Sequence, residues 1–132
     1  MFFEQVCERF KNVIYIMGNH EHYKSTFNKT GDILREALSD YKNLHFLDNE
    51  SVTIDGIKFV GSSLWTNVDI NNPLTINKIQ FAMNDFNLIK YCDAKGNYHK
   101  FRPADAYREH KLSTIYLEDI LTGSLEIGRA HV

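Results

Sequence analysis

Residues 18 to 22, Gly-Asn-His-Glu-His, put an amide, two imidazoles and a carboxylate in consecutive places directly behind an apolar run, Val13–Met17. Each type has chemistry to offer. The Asn19 amide oxygen is an acceptable ligand for a hard or borderline divalent ion. His20 can ligate a metal or give a proton to a leaving oxygen near neutral pH. Glu21 and His22 could orient those groups from behind, as outer-shell partners do at metal centres. Gly18 would let the chain turn sharply without a Cβ in the way. The cluster alone does not decide the matter. Asn after Gly is also a common turn residue, and a loop histidine is often simply solvated or hydrogen-bonded.

The elements that must position these residues are legible in outline. "VIYIM" is short, β-branched and continuously apolar, which predicts a parallel strand covered on both faces. Ahead of it, Phe3, Val6, Cys7 and Phe10 have helical spacing. Downstream, Ile33, Leu34, Ala37, Leu38 and Tyr41 predict a helix over 30–41 with Thr30 as N-cap, and 44–47 predicts a short strand. Two β-rich runs joined by Asp55-Gly56 predict a hairpin with a two-residue turn. Residues 68–77 read as a surface loop, 76–89 as a helix, and 92–102 as a loop or weak extended excursion. Pro103 and Asp105 open a last helix that runs to about Leu121.

Composition narrows the class. At 132 residues the chain can form one domain with a real core. A net charge of −2 gives no basic face for non-specific nucleic-acid binding. Cys7 and Cys92 are too few for a disulfide scaffold, and no apolar stretch reaches membrane-spanning length, so a cytoplasmic protein with reduced thiols and no membrane partner is expected.

"IYIMGNHEHY" (14–23) resembles the third signature of the calcineurin-like metallophosphoesterases, and "FVGSSLWTN" (59–67) resembles a strand-and-loop segment of their bacterial and phage members. The resemblance covers roughly Phe2 to Leu121. It implies an α/β fold, a two-sheet sandwich with flanking helices. It also implies that Asn19 ligates one of two bridged metal ions (Mn, Fe or Zn) and that His20 stabilises the transition state or protonates the leaving group. Gly18, Glu21 and His22 then support the motif. The implied reaction is two-metal hydrolysis of a phosphate mono- or diester, with nucleic acid entering only as a substrate.

The family's other signatures are missing. An Asp-x-His and a Gly-Asp should precede Asn19, but only twelve residues stand before the strand and they hold neither. Gly31-Asp32 comes too late and opens a helix. The later histidine pairs are absent too, since 108–110 (REH) and 129–131 (RAH) lack the spacing. One neutral oxygen cannot hold a divalent ion against water. The expectation is therefore a partial domain over 1–125, with the sandwich's first and last strands missing, weak or no metal binding and little turnover. Residues 126–132 are expected to be a non-native tail, because "IGRAHV" resembles a translated sequencing adapter. The competing expectation is a non-catalytic binding module on the same scaffold. Trp65 could line the site but is better explained by core packing, and His45, His99 and His110 have no partners at ligand spacing.

Overall fold

A computed structural model describes residues 2–130, with side chains as far as Gly123. The chain is mixed α/β. Helix α1 (Phe2–Arg9) leads into β1 (Val13–Tyr15), which is followed by a single 3-10 turn (Asn19–His22) and α2 (Phe27–Ala37). Strands β2 (Leu44–Phe46), β3 (Glu50–Ile54) and β4 (Ile57–Gly61) come next. Helices α3 (Pro73–Ala82) and α4 (Asp85–Leu88), strands β5 (Lys90–Cys92) and β6 (Tyr98–Lys100), and α5 (Pro103–Ala130) complete the order. Among the described residues, no helix is long and apolar enough to cross a membrane.

The strands pair two by two. β1 and β2 are parallel, with Ile14 opposite His45, as the apolar run of β1 predicts. β3 and β4 form the predicted hairpin, Ile54 facing Ile57 across Asp55 and Gly56, whose φ values of 51° and 80° are those a two-residue primed turn requires. β5 and β6 form a second hairpin that turns at Gly96 (φ 85°). That pairing replaces the loop expected over 92–102. Its strands are only three residues long and carry little periodicity to read.

Other expectations are corrected. One face of β1 is covered and the other only in part among the described residues. Tyr15 packs between Phe3 and Phe46 and Met17 is buried, but Ile14 and Ile16 remain 37% and 46% exposed. The helix expected over 76–89 is two helices. The chain enters α3 at Pro73, where the Asn72 side chain accepts from the Leu74 and Thr75 amides, a Pro-first start that makes helix of a segment expected to be loop. It leaves the helical region at Met83 (ψ 127°) and starts again at Asp85. α2 begins at Phe27, three residues before Thr30, whose hydroxyl instead donates to the Thr26 carbonyl. α5 continues past Leu121 to Ala130, so the backbone of 126–130 is helical where an aperiodic tail is expected, and 131–132 lie outside the described residues.

The main core forms around Phe86, Ile89, Tyr91, Phe101 and Ala106, with Tyr23, Phe27, Trp65 and Ile79 packed against it. Phe101 stacks on Phe27 and Phe86 at centroid distances of 5.0 and 5.8 Å. Large side chains buried this fully contribute roughly 2 to 3 kcal/mol each. The α4–β6 segment is thereby fixed directly beneath the 18–23 loop.

Candidate active site

Residues 18–22 leave the carboxyl end of a parallel strand, the edge at which α/β proteins present functional groups. Gly18 is extended (φ −96°, ψ −173°), so the turn begins after it. The Glu21 carboxylate reaches back to accept the Gly18 amide at 2.6 Å, closing the 3-10 turn on itself. Glu21 thus shapes the loop from within and makes no hydrogen bond to Asn19 or His20 in the structure. Burial, together with the neighbouring Glu21 carboxylate, pushes the Tyr15 phenol up to about 12.

Asn19 is half-buried, and its Nδ2 donates to Asp85 Oδ1 at 2.9 Å. The Tyr23 hydroxyl donates to the same oxygen, and that bond holds the phenol above its ordinary range. Asp85 is 2% exposed, and its Oδ2 has no hydrogen-bond partner among the described residues. His20 is exposed, with its ring lying against Tyr23 at 4.6 Å. His20 therefore faces outward from a loop that Asn19 and Tyr23 tie inward to Asp85.

His22 behaves differently from the orienting role expected of it. It is 1% exposed, stacks on Phe27 at 4.4 Å, and burial lowers its imidazole to about 4, so the ring is neutral at physiological pH. Its Nδ1 faces no hydrogen-bond partner among the described residues. The ring lines a cavity of about 90 Å³ shared with Phe27, Asp48, Ser63, Trp65 and Glu109. Burial and the Asp48 charge raise the Glu109 carboxyl. Loop and core therefore interlock through His22, while His20 stays on the surface side.

His45, His99 and His110 each contact an oxygen acceptor away from the loop, and His131 lies outside the described residues. His110 contacts the Trp65 carbonyl through Nδ1 at 2.5 Å, His99 contacts the Lys100 carbonyl at 2.7 Å, and His45 lies 3.3 Å from Asn12 Oδ1. Trp65 packs edge-on against Phe27 and near Phe101, a core role. Gly31 and Asp32 lie inside α2, away from any loop chemistry. Among the described residues, no three His, Cys, Asp or Glu side chains converge closely enough to hold a metal ion. The Asn19 amide oxygen is a donor of a type that divalent ions accept, and no set of three His, Cys, Asp or Glu ligands gathers with it among the described residues.

Asp85 and Tyr23 escape a reading of the sequence. Asp85 is 66 residues from Asn19, and its neighbours Met83 and Phe86 fit an uninterrupted helical stripe. The one local hint is the Asn84-Asp85 pair standing inside that apolar stripe.

No family model matches the chain, and no solved structure matches it. It is similar to an uncharacterized protein of Acanthamoeba polyphaga mimivirus, 30% identical over 97 residues, which is 70% of this chain and 34% of that protein. The chain spans about a third of the length of the relative it matches.

Proposed function

We propose that the chain is part of a calcineurin-like metallophosphoesterase domain, a two-sheet sandwich whose remaining strands and metal ligands lie outside these residues. The observation that carries this reading is the Gly18–Glu21 loop at the carboxyl end of a parallel strand. There Asp85 takes the nitrogen of Asn19, and the exposed His20 ring lies beside it against Tyr23. In such a domain two divalent ions supply the attacking hydroxide and neutralise charge on a phosphate mono- or diester. This chain's own share is narrower. Asn19 presents one neutral oxygen, and the exposed His20 imidazole is the group that would serve a leaving oxygen as general acid.

A non-catalytic module would keep the loop geometry without the distant ligands. The two are separated by the DNA on either side of the reading frame. The enzyme reading expects Asp-x-His and Gly-Asp upstream and Gly-His-x-His downstream. The protein so extended should hydrolyse p-nitrophenyl phosphate or its bis ester with Mn²⁺. His20→Ala should lower kcat by about 10²- to 10⁴-fold, the usual worth of a general acid. Undiminished turnover would sink the assignment of His20, and flanks without the signatures would sink the enzyme.

A further inference from the structure

We propose that Asp85 is the positioning residue for Asn19, fixing the amide with its nitrogen inward and its oxygen outward, so that a turn residue becomes a directed ligand. The inference rests on the reading of Asn19 as a metal ligand and supplies the group that reading lacks.

An asparagine amide can present either end to a cation by rotating half a turn about χ2, and in water neither end is favoured. A carboxylate only accepts hydrogen bonds, so the amide nitrogen alone can face Asp85 Oδ1, as it does at 2.9 Å. The carboxylate cannot swing away. Asp85 is 2% exposed and opens α4, and its backbone carbonyl accepts from Ile89, itself fully buried. Backbone bonds from the Lys24 amide to the Leu88 carbonyl (2.7 Å) and from the Lys90 amide to the Ser25 carbonyl (2.9 Å) hold the two segments together a few residues beyond the contact. The Tyr23 hydroxyl donates to the same oxygen. A buried carboxylate behind the amide also polarises the N–H···O⁻ bond and enriches the outward oxygen, as carboxylates do behind ligating histidines.

The test reads the Asn19 side-chain amide by ¹H–¹⁵N NMR, with exposed Asn71 as internal reference. In the wild type, the Asn19 Nδ2 proton facing Asp85 should exchange at least tenfold more slowly than that of Asn71. In Asp85→Ala it should exchange as fast as Asn71, while the backbone amide spectrum certifies the fold. If the alanine variant does not fold, the near-isosteric Asp85→Asn is read instead, and a severalfold loss of protection is expected. Protection of Asn19 that survives in the folded variant, or is absent in the wild type, overturns the proposal.

A second arm adds Mn²⁺ alone at millimolar concentration, because paramagnetic broadening registers even fleeting approach. The wild-type Asn19 resonance should broaden, and the Asp85 variant should need about 10- to 100-fold more Mn²⁺ for the same effect. Equal broadening in both proteins overturns the positioning role. No broadening in either overturns the metal reading, and the exchange data then judge the amide alone.

Discussion

Gly61 ends β4 where the hairpin meets the β1–β2 pair, and replacing it with alanine tests how tightly these ladders are joined. A Cβ at this position would lie 2.4 Å from the Leu47 Cβ and 3.0 Å from both Ile16 Cγ2 and Leu47 Cδ1. The two 3.0 Å neighbours are side-chain ends that can rotate. The Leu47 Cβ is anchored to its backbone and cannot. Ordinary carbon–carbon contact lies near 3.5 to 4.0 Å, so the end of β4 must withdraw by roughly 1 Å. That movement would pull on the Ser63 hydroxyl, which donates to the Met17 carbonyl at 2.8 Å just ahead of the candidate loop. Overpacking of this kind costs about 1 to 3 kcal/mol, and a clash against a backbone-fixed atom belongs at the top, about 3 kcal/mol. For a chain of this size that lowers the Tm by roughly 10 °C. Gly56→Ala is the informative control. Nothing lies within 4 Å of a Cβ there, but φ is +80°, so its cost is left-handed strain of roughly 1 to 2 kcal/mol. Urea unfolding of both variants should place Gly61→Ala well below Gly56→Ala in midpoint. The reverse order would refute the close approach of β4 to Leu47.

Two further outcomes are expected. His22 has its folded value lowered to about 4 against an ordinary 6.5, so the unfolded chain binds the proton first. Stability should be full above about pH 6.5 and fall as the pH drops toward 4, by about 3 kcal/mol in total. Urea midpoints at pH 7 and pH 4.5 measure it, and a His22→Gln variant that keeps the same slope would exclude His22 as the cause. Phe101→Ala empties a site 1% exposed between Phe27, Phe86 and Trp65, and should cost about 3 to 5 kcal/mol. Fluorescence of the single tryptophan, Trp65, reports that unfolding without interference, and a loss below 1 kcal/mol would contradict the packing.

What the sequence discloses is what local chemistry determines. Asp55-Gly56 dictates its own turn, and the apolar run of β1 demands a parallel neighbour. The split between α3 and α4 is hidden because Ile79, Met83 and Phe86 keep a helical period across the break at Met83. The partly open face of β1 is hidden because an apolar run records what a strand can bury, not what is present to cover it. Asn19 and His20 stand out as candidates by type and order, and the opposite fates of His20 and His22 are visible in the structure alone. Spacing assigned both histidines to one cluster, but the 3-10 turn sends one outward and the other under Phe27. Asp85 is beyond local reading, since only tertiary closure makes it a neighbour of Asn19.

The tie between the loop and Asp85 also sets an order of events during synthesis. The loop leaves the ribosome 66 residues ahead of the carboxylate that fixes it. At about 5 to 20 residues per second, Asn19 therefore waits roughly 3 to 13 s for its partner. Until the α4–β5 segment arrives and closes that long circuit, the strand and its polar loop can form while the amide turns freely. The fixed orientation of the Asn19 amide would thus follow, as a certificate that the distant α4–β5 segment has docked.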